Sequence, residues 1–500
     1  MRIALIIAMS TILASSITPA RADEDKMTAE QFTQQLARVI RVIADRYYYE
    51  IDSGELLRWA VNGLYERRNK IVPDEIAERL EKASNPDRKE VKDVLTAVAG
   101  DSDDDLRWCA DIACERLLGR LDGRTELHNH DFILYGISPR GDIGVRVATD
   151  AKTRLPRVVY PYRNGAAYKA GIRSGDVITE IRRLTGNVSS PVKTVSATAG
   201  MSITQVNQAL RGRAGTEVTL EIRRNGAPEL LTFTMTREAA EEESVFGVRR
   251  TPDDRWDHCL DAQRQVGYLR LSRFVPPTHD EFSRALDTLQ QQGAKGLVLD
   301  LRRCEGGLID TGTKIAATFL GDAPLYTIRS RGQKEPFDGR EGVPAGIKTL
   351  KIPVACLVDG KTNKMSEVVA ACLQDNKRSI IIGERTAGNT YLSSLLRVGS
   401  GQLLRVTCSV FYSPNGKKLD RIHPPGKPSD EWGVTPDKGF ELALTAKERD
   451  QLRAHFENQL VIPPPGQAKE QAPAFKDRQL EMAVEYLRSK IRSGQANESS

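Results

Sequence analysis

Three short runs of this sequence hold side chains that could do chemistry. The first is Arg303-Cys304-Glu305-Gly306-Gly307, a thiol beside two glycines at the end of an apolar run. The second is Thr362-Asn363-Lys364-Met365-Ser366-Glu367, with two hydroxyls and an amine just ahead of a helical pattern. The N-terminus of a helix favours negative charge, because its first amides lack intrahelical partners. The third is Gly383-Glu384 followed by Thr386-Ala387-Gly388-Asn389. A hydroxyl or thiol attacks only when a base within hydrogen-bond reach takes its proton. Ser366 lies two residues from Lys364, a spacing that does not pair side chains on a helix. Thr362 in an irregular loop could use Lys364 as its base. Cys304 would need a histidine, and none of His128, His130, His258, His279, His423 and His455 sits in a motif that places it there.

The elements that would carry these runs are legible from periodicity. Gly267–Leu271, Gly296–Arg302, Val354–Val358 and Ile380–Ile382 are near-continuous apolar stretches of the kind found in buried parallel strands. Amphipathic patterns at Thr278–Gln292 and Ser366–Asp375 lie between them, an α/β alternation that begins after residue 244. Residues 27–121 read as helical instead. Phe32, Leu36, Val39, Ile40, Ile43 and Tyr47 share one face behind a Thr28/Gln31 capping box, and a second helix spans Glu55–Arg67. A third helix follows the acidic cluster Asp101–Asp105, whose aspartates are expected to cap a solvated turn rather than bind metal.

From Phe132 to Arg237 the pattern is strand and turn. Ile143–Val147, Val158–Tyr160 and Val218–Ile222 are strands; a short helix ends at Gly171, and a strand starts near Asp176. Residues 184–201, rich in Ser, Thr and Gly, are expected to form an inserted loop. Val461–Pro465 reads as a stiff linker and Asp477–Lys490 as an amphipathic helix docked on the core, with the last ten residues disordered.

The middle stretch resembles a PDZ domain of the bacterial protease type. It carries the apolar-Gly-apolar loop Ile143-Gly144-Val145, the turn Ala170-Gly171-Ile172 leading to Gly175-Asp176, and the closing Leu210-Arg211-Gly212 with Gly215-Thr216. Successive amides of such a loop hold a terminal carboxylate while the peptide adds a strand. With the motifs LDLR-x-x-x-GG, SE-x-x-A-x-x-LQD, GE-x-T-x-G and YSPNGKKLD…GVTPD, nearly the whole chain resembles the C-terminal processing (tail-specific) peptidases. The resemblance implies a multidomain α+β protein. It would have a helical region at 27–121, a PDZ-like β-sandwich or barrel at 132–238, an α/β peptidase core of the ClpP/crotonase-like type at 244–445, and a linker and helix at 446–500.

That family cleaves proteins with a Ser-Lys dyad, the serine in a run S-A-S-A-S-E and the lysine in T-F-G-K. Ser366-Glu367, Leu373-Gln374-Asp375, Gly383-Glu384 and Thr386-Ala387-Gly388 keep the family's distances without a gap. In that register Lys364 stands at the nucleophile position, Asn389 at the general base and Ser393 at a frequent glutamine. A lysine has no hydroxyl, and an amide takes no proton at useful pH. Loss of such units lowers turnover by ~10⁴ to 10⁶. The oxyanion-hole amides implied by the resemblance are those of Gly306 or Gly307 and Met365. A cation at Lys364 beside them could hold a carboxylate, including a peptide C-terminus; alternatively, Lys364 points into solvent from a relaxed loop.

The bulk sequence fits an exported protein. It has 500 residues, 40% hydrophobic and 28% charged, with 73 basic and 67 acidic residues in no long single-sign runs. No basic stripe with interleaved aromatics suggests nucleic acid. Arg2, the apolar Ile3–Leu13 and Ala20-Arg21-Ala22 read as a secretory signal of 1–22, too short and broken to span a ~30 Å hydrocarbon core. Seven cysteines between Cys109 and Cys408 form neither a disulfide framework nor a zinc spacing, though one bridge is open. The expectation is a periplasmic or extracellular pseudoprotease without cofactor or metal, binding polypeptide C-termini or unfolded segments. An active protease relative is a further partner class. An endopeptidase using Thr362, Ser366 or Cys304, and a structural envelope protein whose PDZ groove is filled from within, are the alternatives.

Overall fold

The computed structural model describes residues 27–83, 86–102, 104–129, 140–150, 153–163, 165–187, 190–238, 243–251, 255–261, 263, 265–399, 402–421, 431–461 and 475–498. The signal expected at 1–22, the proline linker after Val461, His130 and His423 lie outside these residues. The chain is a mixed α/β protein with helices and several sheets.

The core sheet has five strands in the order Val245–Phe246, Val266–Leu271, Gly296–Asp300, Val354–Val358, Ser379–Gly383, the last four parallel. Its central strands are buried along their whole length, so both faces must be covered. Alternation divides them. Leu269, Leu299, Cys356 and Ile381 pack with Phe282, Ile315, Phe319 and Val369 of the helices Thr278–Gln291, Ile309–Leu320 and Met365–Asp375. Tyr268, Val298, Ala355 and Ile382 face the other way, onto Ala483, Leu487 and Ile491 of the helix Arg478–Glu498. That docked helix is tied by a buried ion network. Arg302 donates to both oxygens of Asp477, at 2.9 and 2.7 Å, while also bonding Asp300. The disorder expected of the last ten residues is corrected for 491–498: the helix continues to Glu498, and Ile491 is buried. Ala446–Leu460, to which the sequence reading assigned no element of its own, is also a helix, capped by Thr445 and Glu448.

Among the described residues, five helices form the N-terminal region: Ala29–Arg46, Ser53–Arg67, Asp74–Lys82, Arg88–Gly100 and Leu106–Leu118. The Thr28/Gln31 capping box is formed. Asp105 caps the fifth helix and Asp104 pairs with Arg68. The bundle core extends into Val398, Leu404 and Val406 of the hairpin Tyr391–Gly399/Gln402–Tyr412, so the helices cover a sheet of the following region. None of the seven cysteines, all of them described residues, is in a disulfide.

Residues 145–236 hold a six-stranded sheet with its own apolar cluster, including Ile143, Val158, Ile178, Val206 and Leu220. The loop expected at 184–201 is instead mostly a hairpin. Val177–Asn187 pairs antiparallel with Ser190–Ala197, from Glu180 opposite Ala197 to Asn187 opposite Ser190. Thr and Val favour a pleated strand, and that preference outweighs the polar composition.

Candidate functional site

The three chemistry-bearing runs meet at the carboxyl ends of the parallel strands, where open α/β sheets present their crevice. Gly296–Asp300 leads into the loop 301–307, and Val354–Val358 into the loop 359–364. Asp359 ties the loops together by accepting from the amides of Arg303, Lys361 and Thr362, each at 2.9 Å. The Asn363 amide donates to the Cys304 carbonyl at 3.0 Å. Gly306, at φ 70°, lies so close that a Cβ there would sit 2.5 Å from the Asn363 carbonyl oxygen and 2.7 Å from Lys364 Cβ. On the other side, a Cβ on Gly307 would meet the Phe274 carbonyl at 2.1 Å. No residue with a side chain fits either position.

Lys364 is the sharp point of this arrangement. Its backbone sits at φ 55°, ψ −127°, outside the regions open to ordinary residues, and its side chain is exposed. The relaxed loop allowed by the sequence is therefore not what the fold contains. The helix Met365–Asp375 begins at the next residue. The amides of Ser366, Glu367 and Val368 are satisfied by Asn363 and Lys364 carbonyls. Those of Gly307 and Met365 donate to no group among the described residues. The site thus presents an exposed cation with two amide donors on neighbouring segments.

Glu367 holds these pieces in place, and the sequence reading assigned it no role. It is fully buried. One carboxylate oxygen accepts from the amides of Lys364, at 3.1 Å, and Asn389, at 2.9 Å. The other accepts from Gly388 N, at 2.6 Å, and Thr386 Oγ1, at 2.5 Å. Burial pushes its carboxyl up to about 7, against the pull of these donors. A capping-box spacing, with an acid three residues after Lys364, was the available signal. Lys364 and Asn389 are therefore brought together on one carboxylate. Ser393 lies further along, on the strand Tyr391–Gly399 opposite Thr407, and its buried hydroxyl has no partner among the described residues.

The remaining nucleophile candidates serve the scaffold. Thr362 Oγ1 is fully buried, donates to the Leu301 carbonyl at 2.8 Å and accepts from the Asp359 amide at 3.0 Å. Ser366 Oγ is equally buried, accepting from the Asn363 amide and lying 3.0 Å from the Cys304 carbonyl. Burial pushes the Cys304 thiol up to about 12, so it carries no thiolate at neutral pH. His258 is buried and its pKa is lowered by desolvation.

Ile143 and Gly144 immediately precede the first strand of the separate 145–236 sheet, and Val145 opens it. Gly144 is at φ 75°; its amide donates to Asp142 at 3.1 Å, while its carbonyl and that of Ile143 accept from Tyr162 and Ala167. Among the described residues, the strand that Val145 opens pairs only with Pro156–Pro161, leaving its other edge beside the helix Ile203–Leu210.

The model of peptidase family S41 matches residues 265–438. The chain is 29% identical over 331 residues to the carboxy-terminal-processing protease of Bartonella bacilliformis, covering 63% of this chain and 67% of that protein. It is 28% identical to the carboxyl-terminal-processing protease of Synechocystis, covering 60% and 63%, and 30% identical to carboxyl-terminal-processing peptidase 2, chloroplastic, of Arabidopsis thaliana, covering 64% and 58%. The chain thus spans roughly two thirds or less of the length of these relatives. Among solved structures, a photosystem II D1 C-terminal processing protease is similar at 24% identity with a TM-score of 0.42, over 83% of this chain and 93% of that one.

Proposed function

We propose, for a chain that carries a peptidase family S41 domain and is a relative of the C-terminal processing peptidases, that the site binds polypeptide C-termini or extended segments without cutting them. Under this reading Lys364 and Asn389 stand where the family's serine and lysine would stand, and the protein is an exported pseudoprotease. The observation that carries the reading is the backbone of Lys364. A fold that holds an exposed amine at φ 55°, ψ −127°, over two amides without acceptors among the described residues, sustains strain of ~1–3 kcal/mol for a side chain with no hydroxyl or thiol. Such strain persists where a function uses the position. An ammonium and two N–H donors suit a carboxylate.

The burial and bonding of Thr362, Ser366 and Cys304 support an inactive centre, because none has both exposure and a base. We read residues 132–238 as a PDZ module that presents its own peptide groove. The open edge of Val145–Thr149 beside Ile203–Leu210 supports this, since β-strand addition needs an unpaired edge.

The test is a titration of the full chain with fluorescent peptides ending in a free carboxylate or in an amide, repeated with Lys364→Gln. Tighter binding of the carboxylate form, reduced about tenfold or more by K364Q, is expected. Equal affinity for both peptide forms, unmoved by K364Q, overturns the carboxylate role of Lys364.

A further inference from the structure

Away from the Lys364 centre, a groove of about 710 Å³ lies between the N-terminal helices and the sheet that they cover. Its floor follows from strand alternation. Thr327–Ser330 pairs antiparallel with Gln402–Tyr412, Thr327 opposite Tyr412 and Arg329 opposite Val410. Ile328 and Phe411 point into the core, so Thr327, Arg329 and Tyr412 share the outer face. Arg329 and Tyr412 are diagonal neighbours there, and the guanidinium carbon sits 4.0 Å from the ring centroid. The segment after the first helix forms the opposite wall. Tyr48 OH meets Tyr412 OH at 2.9 Å, and Lys418 Nζ is 2.8 Å from Tyr49 OH.

The lining carries Arg329, Arg331, Lys334 and Lys418 against a single acid, Glu50, which lies 3.9 Å from Arg331. The volume is that of a ligand site. The aromatic rings are already engaged: Arg329 covers Tyr412, and Lys418 lies 5.0 Å over Tyr49. Stacking of nucleobases needs open ring faces, so the groove offers cations rather than platforms. Arg331 is held to the Ala44 carbonyl, which leaves Arg329 and Lys334, both exposed, as the groups best placed to take new partners.

We propose that this groove docks an acidic peptide segment of another protein, its Asp or Glu carboxylates received by Arg329 and Lys334. The site is independent of the Lys364 reading. Three of the four cations lie within Arg329–Lys334, and Lys418 joins them from a distant part of the chain.

Fluorescein-labelled hexaglutamate and hexalysine, both with amidated C-termini so that they lack the terminal carboxylate assigned to Lys364, and an octathymidylate are titrated against the full chain by anisotropy. The variant Arg329→Gln/Lys334→Gln is measured beside Lys447→Gln, which removes an exposed cation outside the groove, with thermal unfolding to verify the fold. The expected result is binding of hexaglutamate but not hexalysine, weakened at least tenfold by R329Q/K334Q and by raising salt from 50 to about 300 mM, and unchanged by K447Q. No hexaglutamate binding at low salt, undiminished binding by the folded double variant, or an equal loss in K447Q overturns the proposal. So does an octathymidylate that binds tighter than hexaglutamate and responds to the same double variant, because the groove would then be a nucleic-acid site.

Discussion

Replacing Lys364 with glycine should make the protein more stable while weakening its ligand binding. Lys364 sits at φ 55°, ψ −127°, where a side chain clashes with its own backbone. Such a conformation costs a non-glycine residue ~1–3 kcal/mol. Glycine adopts it without strain but loses roughly 0.5–1 kcal/mol through the freedom of the unfolded chain. The net gain is about 0.5–2 kcal/mol, concentrated where Lys364 starts the helix Met365–Asp375. Lys364→Ala retains a Cβ and gains nothing from this source. Hydrogen exchange by mass spectrometry on residues 365–375 reads the difference locally. A gain of that size slows exchange roughly 2- to 30-fold in K364G, whereas K364A stays near the unmodified protein. Binding of carboxylate peptides should fall in both. If K364G exchanges faster than the unmodified protein, or K364A matches its gain, strain at this residue is not the quantity the fold sustains for binding.

Glu367 links stability to pH. Burial raises its carboxyl from 4.5 to about 7. The native state then keeps a proton between those values that the unfolded chain has released, so this contribution is full below pH 4.5 and lost as pH rises through about 7. Denaturation at pH 5 and pH 7.5 should show a larger fall for the unmodified protein than for E367Q, by up to about 3 kcal/mol. Asp477→Ala should remove one of the two carboxylates on the buried guanidinium of Arg302, leaving Asp300 as its ion partner, and cost about 1.5–3 kcal/mol. Faster hydrogen exchange in Arg478–Glu498 and a lower melting temperature would register it. Joint replacement K364S/N389K should introduce cleavage of an unfolded protein and labelling by a fluorophosphonate. An inert, folded double variant would show that the scaffold no longer supports the chemistry.

The sequence made the α/β core legible because buried parallel strands are apolar almost throughout, as in Gly296–Asp300 and Val354–Val358. The helix Met365–Asp375 was equally legible from its period. Other features depend on partners distant in sequence. Arg302 meets Asp477 across 175 positions, and Tyr48 meets Tyr412 across 364. Local composition misled at 184–201, where polar residues pair as a hairpin because the neighbouring strand supplies the hydrogen bonds. Around Lys364, the residue types suggested a cation near amide donors. Neither the positive φ nor the four donors on Glu367 can be read from a linear pattern, since both arise from the Gly306 loop and the 386–389 loop closing on the same helix start.

The deciding measurement is a cleavage assay on the chain from Asp23 to Ser500, with an unfolded protein and peptides bearing apolar C-termini. It is run beside a fluorophosphonate, a thiol alkylator and a binding titration of the same peptides. Binding without cleavage or active-site labelling is the expected outcome. Turnover by the unmodified protein, abolished by either reagent, would contradict it and identify the nucleophile as a hydroxyl or a thiol.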